Sequence, residues 1–514
     1  MIERNILIGF ITSTEFLQQI RPIWKSQLME SVMAKQLSLW CIEYFDAYSK
    51  CPGENIEQIY YEKIKNVSVT KDTAEDIAEI LEGLSTQAEK ENVNLDYLIT
   101  STRKFFNSRS LTIHTETIQA LLAKESITEA EKFACDYKPI ANNVVQDIDL
   151  SNEEVLNRVD KAFNVDNEPL IHYPGALGHF WNDQLIRGAF VALLASEKRG
   201  KSWWLLDFAI RACKQKKKVA FFQAGDMSES AQLKRICIYL AKKSNFPKYT
   251  GELLEPVKDC IRNQMNACKK EERDGFSGVF ADRLFTDIKY GVTLEDLETA
   301  FKDAGDYKPC TFCEEYAHGS LGTPWLKKVN IKKPLFANEA KRVITDFFIK
   351  HKVQFKLSTH PNDTLSIKGI NAILDIWEKQ DEFVPDVVVI DYADLLIFDG
   401  YEKDYRQQQN KIWKGLRNLS QTRGNPLVIT ATQADAASYE KNSLRMSNFS
   451  EDKRKFGHVS YMVGLNQDTK DREKKIGIMR LNEIVKREGE FFHSKEVYVL
   501  QNLKRGSPFL DSYF

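Results

Sequence analysis

Residues 192–210 read ALLASEKRGKSWWLLDFAI: an apolar run, a short polar loop, then a stretch with helical spacing. No other segment of the chain limits its fold as strongly. The loop fits G-x-x-x-x-G-K-[ST] at Gly200, Lys201 and Ser202, with Ala195 where the pattern has its first glycine. A loop that opens a helix presents backbone N–H groups, and these bind phosphate oxygens. Ser196, Glu197, Lys198, Arg199, Gly200 and Trp203 are therefore expected to surround a nucleotide's phosphates. Lys201 is expected to reach the β- and γ-phosphates, and the Ser202 hydroxyl to ligate Mg²⁺. Alanine at 195 is expected to restrict the backbone at the loop entrance. A lysine-rich helix cap would give the same three letters by chance, so the neighbouring segments decide.

Those segments alternate between strand and helix patterns. RGAFVALLAS, KKVAFFQAGD, VQFKLST, DVVVIDYADLLIF and NPLVITATQ read as strands, with KSWWLLDFAIRACKQ and SESAQLKRICIYLAKK as helices between them. This alternation predicts an α/β fold with a mostly parallel sheet covered by helices. Residues 1–140 differ. Apolar residues recur there at three-to-four spacing, as in 73–92 and 111–137, and glycine is scarce, so an all-α domain is expected. Residues 141–170 read as a linker and 171–514 as the α/β domain. Residues 244–335 break the pattern and read as an insertion.

Two further strand ends carry polar groups. Asp391 closes the buried run PDVVVIDYADLL, where it is expected to hold Mg²⁺; an N-capping role for the next helix is the alternative. Asp226 ends VAFFQAGD before a helix, on a strand expected beside the phosphate-loop strand. It is a candidate general base for an attacking water, with N-capping again the alternative. Gln433 ends PLVITATQ and is a candidate γ-phosphate sensor.

In this order the segments resemble the RecA-type ATPase core of DnaB-like replicative helicases. QAGDMSESAQLKR is similar to that family's S-L-E-M-S strand–helix, which continues with Gln and Arg. VVVIDYADLL resembles its V-I-D-Y-L-Q-L, and YRQQQNKIWKGLRNLSQTRGNPLVITATQ its next helix and strand. LQNLKRGSPFLDSYF resembles its closing hairpin. The resemblance implies a ring homo-oligomer, usually a hexamer, with ATP and Mg²⁺ between subunits. It carries the base role to Asp226 and implies that Arg505, with Lys504 beside it, reaches a neighbour's γ-phosphate. It also implies a collar-like N-terminal domain, single-stranded DNA as partner, and contacts to a primase or a helicase loader.

The charge distribution bears on that partner. The chain holds 72 basic and 73 acidic residues, a formal net charge of −1. Residues 1–150 hold 15 basic and 23 acidic side chains, whereas 441–514 hold 15 basic and 10 acidic. An acidic helical end thus offsets a basic ATPase end. Arg445, Lys453, Arg454 and Lys455 fall in the loop-like stretch 436–458 and are candidate phosphate contacts, with Phe449 and Phe456 as candidate stacking groups. An ordinary solvated loop is the bland reading.

The insertion carries Cys260, Cys268, Cys310 and Cys313. Their spacing makes a candidate zinc site, with His318 as a substitute ligand, and a metal would explain how so polar a segment folds. Four unrelated thiols remain the alternative. No run approaches 18 apolar residues, so no membrane span is expected. A cytoplasmic protein, in a host cell if the gene is a phage's, is the default.

The expectation is an ATP-dependent helicase that translocates on single-stranded DNA. A filament-forming RecA-like recombinase is one alternative. A non-enzymatic loader or scaffold, with Ala195 and Asp226 marking a degenerate site, is the other.

Overall fold

The computed structural model describes residues 2–65, 94–135, 168–225, 227–270, 292–310, 322–435, 441–448, 453–491 and 495–514. It also describes positions 77, 78, 81, 137, 155, 156, 159, 312 and 438. The chain divides into two compact units, Met1–Asp160 and Lys161–Phe514.

The first unit is helical. Its helices span Ile2–Thr12, Thr14–Ile20, Val32–Tyr48, Asn55–Lys65, Leu95–Ala123 and Ile127–Cys135. Serine caps set two of the starts: Ser13 accepts from the Phe16 N–H at 3.1 Å and Ser31 from the Ala34 N–H at 3.0 Å. Their apolar faces close over Phe10, Phe16, Leu37, Trp40 and Phe106, all buried. Gly9 is small for a reason. A Cβ there would sit 2.9 Å from both Leu98 and Phe16, so the first helix meets its neighbours only without a side chain. The long helical pattern at 111–137 is broken at Lys124–Ser126, where Glu125 turns left-handed at φ 59°. Most of 73–92 lies outside the described residues.

The second unit is built on a nine-stranded sheet. Its strands are β1 (Phe190–Ala195), β2 (Val219–Ala224), β5 (Phe355–His360), β6 (Val387–Asp391), β7 (Leu427–Gln433), β8 (Tyr461–Asn466), β9 (Ile478–Lys486), β10 (Glu496–Asn502) and β11 (Ser507–Tyr513). Two more, β3 (Gly251–Cys260) and β4 (Gly322–Ile331), form a separate antiparallel ladder. The sheet order is β11-β10-β9-β8-β1-β7-β6-β2-β5. From β8 to β5 every pairing is parallel; β9, β10 and β11 extend the sheet antiparallel.

The parallel strands are apolar throughout because both faces are covered. In β1, Val191, Leu193 and Ala195 face one core with Trp204 and Phe208 of the helix Lys201–Lys214. Phe190, Ala192 and Leu194 face the other core, against Trp413 and Leu416. Those two belong to the helix Tyr405–Ser420, whose buried positions 409, 412, 413, 416 and 419 form one helical stripe. Among the described residues, no helix is long and apolar enough to cross a membrane.

The insertion is not core-poor. The β3–β4 ladder and the helix Leu294–Asp303 pack Leu297, Tyr307, Trp325 and Leu326 against Ile478, Tyr498, Leu500 and Tyr513 of the antiparallel extension. Asp259, at the end of β3, is buried and accepts hydrogen bonds from the Tyr307 hydroxyl (2.6 Å), the Gln264 amide (2.9 Å), and the Cys260 and Cys310 N–H groups (2.7 and 2.8 Å). This shared core and buried carboxylate hold the described part of the insertion together, the task that the sequence reading gives to a metal.

Candidate nucleotide site

In parallel sheets, ligand sites form beyond the C-terminal strand ends. β1, β6 and β7 all end at one edge, and the register pairs Ala195 with Gln433 and Gln223 with Asp391. The phosphate loop, Asp391 and Gln433 therefore share that edge. The order also corrects one expectation: β2 is not beside β1, because β7 and β6 lie between them. Asp226, which follows β2, lies outside the described residues.

The loop from Ser196 to Gly200 joins β1 to the helix that begins at Lys201. It bends through two left-handed positions, Lys198 (φ 57°) and Gly200 (φ 88°). Glycine is needed at 200 on two counts: that backbone angle, and Leu503, whose methyl would lie 3.0 Å from a Cβ. Ala195 is a regular residue of β1, buried and outside the positive-φ set, so alanine imposes no strain at the loop entrance.

Lys201 folds back along the loop. Its ammonium donates to the carbonyls of Ala195 (3.0 Å) and Ser196 (3.3 Å) and lies 5.7 Å from the Tyr392 ring centre. The Ser202 hydroxyl donates to Asp391 Oδ1 at 3.0 Å. A hydroxyl and a carboxylate are hard oxygen donors, the chemistry Mg²⁺ prefers, so this pair fits the ion that the fold implies. Trp203 faces the helix that follows β2 and lies 5.2 Å from the Arg235 guanidinium. The loop's remaining side chains are tied nearby. Ser196 shares a 2.9 Å hydroxyl contact with Ser438, Arg199 donates to Gln467 at 3.0 Å, and Glu197 accepts from the Gln433 amide at 3.0 Å.

Two residues outside the expected set complete the site. Arg235 lies 4.0 Å from Asp391 Oδ2, and burial lowers its pKa while Asp391 opposes the shift. Its sequence signal was the arginine that follows the QAGDMSESAQ segment. Asp394 accepts from Thr432 Oγ1 (2.8 and 3.0 Å), from the Gln433 N–H (2.9 Å) and from Lys455 Nζ (3.2 Å). It thereby fixes the end of β7 and the orientation of Gln433. Only its place three residues after Asp391 marked it in the sequence.

The other candidates separate. Arg505 is not directed at a phosphate. Its guanidinium donates to Glu255 of β3 at 2.6 Å and to the Lys242 carbonyl at 2.9 Å, although its turn lies against the loop through Leu503. Lys504 is exposed. Of the basic stretch, Arg445 and Arg454 are exposed, and the side chain of Lys453 and all of Phe449 lie outside the described residues. Lys455 departs from its expected role: it is fully buried, paired with Asp394 and 5.5 Å from the Trp413 ring centre. Phe456 packs on the core beneath the sheet. The segment before Met446 is anchored, because Leu444 donates to Asn466 at 2.7 Å and Arg480 donates to the Asn442 carbonyl at 2.6 Å.

Among the described residues, no group of three or more His, Cys, Asp or Glu side chains converges as a metal site. Cys260 and Cys310 are free thiols on either side of Asp259, and Cys268 is half-buried. Cys313 and His318 lie outside the described residues.

Among solved structures, the chain is similar to a DnaB-like replicative helicase studied with its interactions with primase. The TM-score is 0.50 at 12% identity, covering 99% of this chain and 99% of that one. It also matches the ATPase domain of a second DnaB-like helicase, with a TM-score of 0.43 at 12% identity, over 71% of this chain and 100% of that one. No family model and no curated protein matches the chain. The fold is that of a DnaB-like RecA-type helicase: a large, mostly parallel sheet preceded by a helical unit.

Proposed function

We propose that the protein is an ATP-hydrolysing motor of the DnaB type that translocates on single-stranded DNA and unwinds duplex. One observation carries the reading. At the edge of a RecA-type sheet, Lys201, Ser202 and Asp391 stand together, with Ser202 and Asp391 in hydrogen-bond contact. Lys201 is the phosphate-binding cation, and its bonds to two loop carbonyls are what a nucleotide's phosphates replace. Ser202 and Asp391 hold Mg²⁺, which supplies charge neutralisation at the phosphates. Gln433, steadied by Asp394, reports the state of the γ-phosphate to the loops that follow β7.

The remaining parts follow from the same reading. Residues 1–140 act as the collar, 141–170 as the linker and 171–514 as the motor. The active form is a ring, with six subunits the expected number. Asp226 is the general base, Arg505 acts on a neighbour's nucleotide once released from Glu255, and Arg445 and Arg454 meet the DNA backbone. The similar helicase was studied with primase, which makes a primase or a loader the first partner to test. A degenerate scaffold is the less supported alternative, since Ala195 sits unstrained in β1.

The test is ATP hydrolysis with and without single-stranded DNA, for wild type and Lys201→Ala. DNA-stimulated hydrolysis that Lys201→Ala abolishes is expected. No hydrolysis by either protein overturns the enzyme reading. A forked duplex with each tail removed in turn then reads unwinding and polarity.

A further inference from the structure

The helix that begins at the phosphate loop ends, at Lys214, beside a hollow of about 680 Å³. Lys214, Lys216, Lys217 and Lys218 line it from the turn into β2, and His351 and Lys352 from the turn into β5. Two separate chain segments thus bring five lysines to one concavity. The carboxylate in its wall, Asp386, is already engaged: it pairs with Arg187 and accepts the Lys218 backbone N–H at 2.8 Å. Asp346, which precedes β5, is paired with Lys350 at 2.5 Å. Among the described residues, Lys216, Lys217, Lys218 and Lys352 form no ion pair.

A structural role explains only part of this cluster. Cations stabilise a helix C-terminus, which accounts for Lys214. It does not account for Lys352, which arrives from another segment. Lys216 and Lys352 also occupy left-handed positions, φ 61° and 50°, where glycine or asparagine costs less. Like charges gathered in one hollow repel each other unless an anion joins them.

We propose that this hollow is a second nucleic-acid contact, which takes the phosphodiester backbone of a single strand about 20 Å from the phosphate loop, a helix length away. The choice of nucleic acid rests on the motor reading above; the anion-binding character rests on the lysines alone. A single phosphate or a nucleotide is better held by a helix N-terminus, and here a helix C-terminus faces the hollow. Charge spread over two turns suits an extended polyanion. Lysines without arginine forks act as point charges and read no sequence, as backbone contacts require. A protein partner needs apolar anchors. Phe347 and Val353 in the wall are instead packed against the sheet core. Lysine is depleted at protein–protein interfaces, whereas nucleic-acid interfaces are strongly positive.

The test uses the full chain and a labelled single-stranded DNA of mixed sequence, with anisotropy read across a salt series. Wild type is compared with Lys216→Glu/Lys217→Glu/Lys352→Glu and with the corresponding triple glutamine variant. Loss of three phosphate contacts lowers the slope of log affinity against log salt by about 2. The glutamine variant is expected to show that change and the glutamate variant a larger one, with DNA-free ATP hydrolysis unchanged in both. Wild-type affinity and slope in both variants overturn the proposal. So does polyglutamate that competes as well as DNA, because the hollow then suits an acidic protein. If Arg445→Glu/Arg454→Glu weakens binding and the lysine variants do not, this contact fails while the motor reading stands. If wild type binds no single strand, both fail together.

Discussion

Asp394 and Lys455 offer the sharpest energetic test, because the sequence and the structure give Lys455 opposite roles. The Lys455 side chain is fully buried and that of Asp394 is 15% exposed, with 3.2 Å between their charged atoms. Asp394 also accepts from Thr432 and from the Gln433 N–H. Asp394→Ala leaves a buried ammonium without that carboxylate and frees two donors at the end of β7. Breaking a buried pair from one side costs about 3–5 kcal/mol. Lys455→Met keeps the aliphatic stem over Trp413 and removes the charge, while Asp394 keeps its other two donors. It should cost only about 1 kcal/mol. The double variant should then be more stable than Asp394→Ala alone, with a coupling energy of about 2–3 kcal/mol.

Urea unfolding of the four proteins, followed by tryptophan fluorescence, measures this cycle. With a slope of about 3 kcal/mol per molar, Asp394→Ala should lower the midpoint by about 1 M. A cost below about 1 kcal/mol would place the pair among exposed ion pairs and refute the burial argument. The opposite pattern refutes it as well. If Lys455→Met leaves stability intact but lowers the salt slope of DNA binding by about 0.7, then Lys455 is a phosphate contact after all.

Lys201→Ala should lower ATP hydrolysis at least a hundredfold, read by phosphate release, while leaving the urea midpoint near that of wild type. Asp207→Ala should destabilise by about 3–5 kcal/mol, because Asp207 is buried, accepts from the Tyr173 and Tyr239 hydroxyls at 2.7 Å each, and pairs with Arg211. Glu255→Gln should raise hydrolysis in the assembled protein if Arg505 acts on a neighbour's nucleotide, and Arg505→Ala should cancel that gain; a gain that persists without Arg505 excludes the finger role. Burial lowers the Lys242 pKa to about 8, with Lys214, Arg211 and Arg505 adding to the shift and Asp207 opposing it. The unfolded chain therefore holds this proton more tightly, so stability should rise as pH climbs from about 8 toward the ordinary lysine range, and Lys242→Met should flatten that rise. Metal analysis of the purified chain reads the cysteine cluster directly, and well under one zinc per chain discards the zinc site.

What the sequence made legible was what repeats locally or ends a strand. Val387–Asp391 and Leu427–Gln433 are continuous apolar runs, and each closes on a polar residue that the parallel register then brings to one edge. The strands β8 and β9 were missed. Their sequences carry buried Asn466, Arg480, Asn482 and Glu483 among the apolar residues, and those polar groups satisfy one another only across the ladder. Asn466 donates to Asn482 at 2.7 Å, and Arg480 pairs with Glu473 at 2.6 Å. The insertion was misjudged for the same reason. Asp259 reads as a surface carboxylate until Tyr307, Gln264 and Cys310, up to 51 residues away, supply its donors.

Charge was the least legible property, because the sequence gives its sign but not its surroundings. Lys455 stands in a run of three basic residues and reads as a DNA contact, yet it is buried against Asp394 and Trp413. Lys216, Lys217 and Lys218 stand in a similar run and read as a solvated helix end, yet they meet Lys352, about 135 positions away, around one hollow. The two runs differ in one respect: whether a carboxylate from another segment arrives to neutralise them. Asp394 arrives at the first. At the second, Asp386 arrives already bound to Arg187. A basic run therefore becomes a candidate nucleic-acid surface only where tertiary structure has left its charge unspent. By that criterion the lysine hollow is a stronger candidate than Lys455.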